Sequence, residues 1–249
     1  MINQFIQNDI VYHLTSRNMK ALFTGKTEHL RHYDPHVVKL QMEQGFKLFE
    51  GKKSIHLPSP EILEMPLDTA MELRCSRRDY TDYKITLKEL STLLFYSAGY
   101  KRTERIGRKH VPSSGGFNTT EVFLVILNSD EIAPGLYYFS AMDGNLLCVR
   151  EGDYRDWIRN DAMYQEEWGN ASVVFFLASD FSRLYQKYYC RALRLCLLDA
   201  GHVAQNLYLA CAAMDMKVCE VLGYVENEVE DAFELSGNIP TFSSLVIGR

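Results

Sequence analysis

Apolar residues recur along this chain in two rhythms. In "TLKELSTLLFYSAG" (residues 86–99), Leu87, Leu90, Leu93 and Leu94 form one stripe at helical spacing. Thr86 and Glu89 have capping-box spacing, and Gly99 stands where such a helix would stop. The runs "VFLVIL" (122–127) and "SVVFFLAS" (172–179) are continuous and β-prone, as expected for strands covered on both faces. "GLYYFSAMDGNLLCV" (135–149) reads as a hairpin turning at Asp143-Gly144, and "SSLVI" (243–247) as a shorter strand. Between the last two strands lies a helical region of roughly 40 residues. The first 55 or so residues read as mostly helical, "VVKLQMEQGFKLFE" (37–50) being the clearest amphipathic piece, and the proline-rich "HLPSPEILEMP" reads as a linker. Strands and helices intermix without a regular βαβ rhythm, which predicts an α+β fold.

The segment "YYCRALRLCLLDAGHVAQNLYLACAAMDM" (188–216) is apolar nearly all round, so its helix should be buried at the centre of something. Asp199, His202 and Asn206 fall on it at i, i+3 and i+7. That polar stripe is either a satisfied internal network capping neighbouring loops or part of a catalytic set. A hydrolase triad lacks its G-x-S-x-G elbow.

Charge narrows the chemistry. A net charge of −5 argues against a protein that covers nucleic acid or an anionic membrane, so a bound anion needs a local cationic cluster. "RCSRRDY" (74–80) offers one, with arginine forks matched to phosphate and a serine hydroxyl beside them. "HVPSSGGFNTTE" (110–121) lets backbone N–H groups approach a ligand closely. Neither a Walker loop nor a Rossmann fingerprint is present. The basic stretch "KRTERIGRK" (101–109) is a solvated loop or a substrate-steering rim. Lys187-Tyr188 is a surface dipeptide or, if burial or a nearby cation lowers the lysine pKa, a proton-transfer pair.

The six cysteines have no paired metal spacing, and no metal site is expected. Neither a secretory signal nor a run of apolar residues long enough for a membrane span is visible, so a cytoplasmic protein is expected. Asn118 and Asn170 are then chance matches to a glycosylation pattern.

Taken in order, "RCSRRDY", "LKELSTLLFYSAG", "HVPSSGGFNTTEVFLV", "GLYYFS", "KYYCRALRLCLLDAGHVAQNLYLA" and "VIGR" resemble the nitroreductase-like FMN flavoproteins. Within them, the likeness is to the SagB-type dehydrogenases, the azoline oxidases of thiazole- and oxazole-modified peptide pathways. The resemblance covers roughly residues 55–249. It implies an N-terminal helical region (1–55) and an FMN-binding domain (56–249). That domain would be an α+β three-layer sandwich, its mostly antiparallel sheet flanked by helices, in an intertwined homodimer. It further implies that Arg74, Ser76 and Arg78 hold the FMN phosphate, ribityl chain and pyrimidine edge. Cys75 stands in the same motif where relatives carry a second arginine. Pro112, Ser113, Ser114 and Gly115 would line the flavin, Gln205 would lie near it, and Arg249 matches a position that reaches the phosphate. Leu222-Gly223 replaces two small residues facing the flavin N5. Lys187 and Tyr188 match the branch's catalytic Lys-Tyr pair.

The activity implied is oxidation of thiazoline or oxazoline rings to azoles in a precursor peptide. The peptide, and a cyclodehydratase complex, would be the partners, and dioxygen would reoxidise the flavin. Two alternatives remain at this stage: an NAD(P)H-dependent nitro- or quinone reductase, and a non-catalytic subunit of a peptide-modifying complex.

Overall fold

A computed structural model describes residues 2–17, 48–102, 108–235 and 237–249. The expected amphipathic helix at 37–50 lies outside them except for its last three residues, and so does the middle of the basic stretch 101–109. Among the described residues six α-helices exceed three residues: α1 (Ile2–Thr15), α2 (Leu67–Leu73), α3 (Leu87–Ala98), α4 (Phe181–Tyr188), α5 (Ala192–Ala213) and α6 (Glu226–Ala232). Seven strands form one sheet: β1 (Ser54–His56), β2 (Thr120–Ile126), β3 (Gly135–Ser140), β4 (Asn145–Glu151), β5 (Val173–Ser179), β6 (Lys217–Val221) and β7 (Thr241–Gly248). Their order is β1-β4-β3-β2-β5-β7-β6, and every neighbouring pair is antiparallel.

Strand alternation builds two cores from one sheet. In β2, Val122, Leu124 and Ile126 face the core shared with α3 and α5, while Phe123 and Val125 face a second core closed by Trp168 and α6. The result is an α+β three-layer sandwich, with the antiparallel sheet in the middle. Continuous apolar runs such as β5 follow directly, since both of its faces are covered.

Local signals hold where the geometry is local. Thr86 Oγ1 accepts from the Glu89 N–H, and the Glu89 carboxylate accepts from the Thr86 N–H at 3.0 Å, completing the capping box of α3. β3 and β4 form the expected hairpin, with Gly144 at φ 66° in the turn. The 55/56 boundary expected between two regions falls inside β1, and Leu48 and Phe49 pack against the second core. The long helical region is in fact broken. Tyr189, at φ 48° and ψ −130°, separates α4 from α5, and β6 follows α5. Helix α5 does not bury all its faces within the chain: Leu197 and Leu198 are 46% and 57% exposed, and Gly201, His202 and Gln205 are exposed beside them.

β6 is the outermost strand on its side. Residues 76–77 run along it: Ser76 makes a parallel bridge to Val218, and the Arg77 N–H donates to the Val218 carbonyl at 2.9 Å. Four of the six cysteines are buried, Cys75 and Cys190 are exposed, and none is disulfide-bonded. No helix among the described residues is long and apolar enough to cross a membrane.

Candidate active site

The arginine segment begins where α2 stops. The Arg74 N–H closes the helix on the Ala70 carbonyl, and its guanidinium lies 5.4 Å from the centre of the Tyr208 ring on α5. The chain then extends along β6. Ser76 Oγ lies 2.8 Å from Tyr208 Oη, which also accepts the Glu220 N–H at 2.8 Å. Tyr208 thus ties the segment, α5 and β6 together through one buried hydroxyl. Arg77 Nε donates to Cys75 Sγ at 3.3 Å. Neither Arg74 nor Arg78 has an acidic partner among the described residues. Half-buried Arg74 and exposed Arg78 thus present guanidinium groups that suit an anion brought from outside the chain.

A second corner forms around residues 113–118. Gly115 and Gly116 adopt φ 63° and 76°, left-handed values that favour glycine. Buried Asp199 holds this turn. It accepts the Ser113 hydroxyl at 2.9 Å, the Ser114 N–H at 2.9 Å and the Ser114 hydroxyl at 3.0 Å. Ser113 Oγ in turn accepts the Asn118 N–H at 2.8 Å. Asp199 is therefore the loop-capping residue of the two readings open for it. Both serine hydroxyls face it, which leaves exposed Pro112 and Gly115 and the turn's backbone to meet a ligand. The expected polar stripe on α5 divides: Asp199 is buried, Asn206 donates to the Tyr96 carbonyl at 2.9 Å, and His202 is exposed.

Lys187 and Tyr188 end α4 against this turn. A Cβ added to Gly115 would lie 2.5 Å from Tyr188 Oη, so the hydroxyl rests on the glycine itself. Phe117 packs edge-on to the Tyr188 ring at 6.3 Å, and Lys187 Nζ lies 5.8 Å from the Phe117 centre and 5.3 Å from the Tyr188 centre. Both side chains are half-buried. The structure thus brings Ser113, Ser114, Gly115, Lys187 and Tyr188 into one corner. Arg74 and Ser76 lie near Tyr208, about 13 Å further along α5 at 1.5 Å per residue.

The other expected residues lie elsewhere. Gln205 is exposed on α5, one turn before Tyr208. Leu222 and Gly223 follow β6; Leu222 is 66% exposed, and a Cβ on Gly223 would meet open space. Arg249 stands apart. Its Nη2 pairs with Glu89 at 3.0 Å, and its guanidinium lies 4.5 Å from the centre of the Tyr83 ring. It lines a cavity of about 850 Å³ with Glu61, Glu64 and Glu89, which includes none of Arg74, Ser76 and Arg78. Burial and the Glu89 carboxylate push the Tyr83 hydroxyl up to about 12. Lys109, read as part of a solvated stretch or a rim, is buried. Tyr208 and Phe117 also stand at the site, and no motif in the sequence marks them. The signal for Tyr208 is a hydroxyl on an otherwise apolar helix face, which must find a partner.

The described residues contain no group of three or more His, Cys, Asp or Glu placed to hold a metal ion. Residues 71–248 match the model of the nitroreductase family. The chain belongs to the nitroreductase family. A protein of Methanocaldococcus jannaschii named as a candidate nitroreductase is 26% identical over 182 residues, covering 73% of this chain and 91% of that protein. Among solved structures, a candidate nitroreductase of Anabaena variabilis superposes with a TM-score of 0.71 at 23% identity over 81% of this chain, which spans 42% of that protein's chain. A chain of the E. coli microcin synthetase McbBCD complex, solved with truncated pro-MccB17 bound, has a TM-score of 0.62 at 18% identity. That match covers 99% of this chain and 93% of the other. A nitroreductase-fold protein of Desulfovibrio desulfuricans, solved with FMN, has a TM-score of 0.52 at 16% identity and covers 74% of this chain and 86% of its own. These likenesses share the fold described above.

Proposed function

We propose that this chain is an FMN-dependent dehydrogenase that oxidises thiazoline or oxazoline rings to azoles in a ribosomally made precursor peptide, acting in the cytoplasm. The observation that carries the reading is the Lys187–Tyr188 pair seated against the Ser-Gly turn. Removing a proton from the azoline Cα calls for a general base at that position, and reduction of a nitro group or quinone does not. The microcin synthetase likeness, which spans nearly the whole chain, supports a peptide substrate and a complex with further subunits; in this reading one of them is a cyclodehydratase.

The donor chemistry fits FMN, since Arg74 and Arg78 present cationic forks with no acidic partner among the described residues. In this reading they hold the phosphate, with Ser76 beside the ribityl chain and pyrimidine edge. Pro112, Ser113, Ser114 and Gly115 line the ring with backbone, Gln205 lies near, and the Leu222–Gly223 backbone approaches from β6. Arg249, paired with Glu89 through Nη2, would be a further phosphate ligand. Bound there, FMN supplies the hydride acceptor. Lys187 or Tyr188 takes the Cα proton, and aromatisation of the ring makes the step downhill. The exposed apolar face of α5 is the proposed seam of a homodimer, across which the partner's turn would complete each site.

Azole formation by Lys187→Ala, followed by mass spectrometry as loss of two hydrogens per ring, tests the reading. Activity at least about a hundredfold below wild type is expected, and full activity would exclude the role. A second reading, an NAD(P)H-dependent nitro- or quinone reductase, draws on the name of the Methanocaldococcus relative. It requires rapid anaerobic bleaching of the flavin by NADH or NADPH, and the dehydrogenase reading requires inertness to both.

A further inference from the structure

Beneath the Lys187–Tyr188 corner lie charges that the proposed reaction does not use. Lys109, Glu121 and Arg183 are each more than nine-tenths buried. Lys109 Nζ donates to the Thr120 carbonyl at 3.3 Å and lies 5.4 Å from the centre of the Tyr100 ring. The Tyr138 hydroxyl donates to Glu121 Oε2 at 2.9 Å, and Arg183 Nη1 lies 3.8 Å from Glu121 Oε1. Half-buried Asp180, which caps α4 through the Ser182 N–H at 3.1 Å, adds a second carboxylate. Among the described residues the cluster thus holds two cations and two carboxylates. Burial drives the Glu121 carboxyl upward and the Lys109 ammonium downward from their ordinary ranges, and their mutual attraction opposes both shifts.

A network like this is a poor device for stability alone, because apolar side chains of the same volume fill such a space without the desolvation cost. Its members instead sit on the elements that meet at the corner. Lys109 enters the Ser-Gly segment and Thr120 leaves it, so their hydrogen bond closes that segment at its base. Glu121 is the next residue of β2. Arg183 is on α4, four residues before Lys187 and hence on the same helix face. The strand that ends the turn is thereby joined to the helix that carries the Lys-Tyr pair.

We propose that Lys109, Glu121 and Arg183 are positioning residues: their buried network fixes helix α4 against the Ser-Gly turn and so sets where Lys187 and Tyr188 stand. The proposal deepens the dehydrogenase reading and rests on it for the roles of that pair.

The test uses FMN-loaded full-length enzyme and the variants Glu121→Gln, Arg183→Met and Arg183→Lys, with two readouts. One is kcat and KM for an azoline peptide. The other is the 19F resonance of a 3-fluorotyrosine placed at position 188 alone, recorded with and without FMN. Glu121→Gln and Arg183→Met are expected to lower kcat about tenfold or more, with KM and FMN affinity within about twofold of wild type. Both should shift the 19F signal away from its wild-type position, and Arg183→Lys should recover part of each change. Should Glu121→Gln fail to fold, the two Arg183 variants carry the same comparison. A lowered melting temperature with unchanged kcat and unchanged 19F signal would reduce the network to a structural one and overturn the proposal. If wild type forms no azole but the 19F signal still moves in the variants, the dehydrogenase reading fails and the positioning survives.

Discussion

Arg74 and Arg78 flank the segment that lies along β6 and have no acidic partner among the described residues, whereas Arg183 and Lys109 are buried close to Glu121, on either side of the turn that leads into β2. The same residue types carry opposite structural debts. A buried cation must meet its counter-charge inside the chain, because leaving it alone in a low dielectric is prohibitive. An exposed one costs little unpaired and stays available to a ligand. Cations that reach solvent with no acidic partner among the described residues therefore point outward to function, and buried ones point to what holds the functional groups in place.

Removing the centre of the buried set should have the largest effect. Glu121→Ala strands two buried cations and is expected to destabilise the fold by about 3–5 kcal/mol in urea unfolding. Arg78→Ala, in the exposed set, should leave stability within about 0.5 kcal/mol. If the two variants proved equally stable, the contrast between the regions would collapse. Next come the exposed cations as ligands: replacing Arg74 and Arg78 together by Ala is expected to weaken FMN binding about a hundredfold, read by fluorescence titration. Gly115→Ala follows. Its φ of 63°, and a Cβ that would fall 2.5 Å from Tyr188 Oη, predict a displaced tyrosine and a loss of about 1 kcal/mol, measurable by thermal unfolding. The smallest effect concerns pH. Burial holds His110 below its ordinary 6.5, so the unfolded chain takes up its proton first as acidity rises. Stability should fall as pH drops from about 7 through that value, and the slope should flatten in His110→Gln, followed as melting temperature against pH.

How much of this was legible in the sequence depended on the range of each interaction. The capping box of α3 and the Asp143-Gly144 turn are set by residues three or four apart, and both formed as read. The buried strands β2 and β5 announced themselves through unbroken apolar runs. β6 and β1 did not, because five and three residues with charged or polar members carry little periodic signal. The break at Tyr189 has no signal in the sequence, because neither glycine nor proline marks it.

At the site, residue types were easier to read than partners. Asp199 on an apolar helix had to be satisfied, but only the fold shows that it takes up the hydroxyls of Ser113 and Ser114. Arg249 looked like one more phosphate ligand, and the fold gives it Glu89. Glu121, a carboxylate near the start of an otherwise apolar strand, was the one clue to the buried network. Its partners come from 12 residues before and 62 residues after it, distances no local pattern spans.

The bridge between Ser76 and Val218 has one more consequence. By lying along β6, the arginine segment occupies amides and carbonyls to which a foreign strand would otherwise attach. Displacing it would bare a template for self-association, so aggregation and failed cofactor retention could arise together from damage to one short peptide.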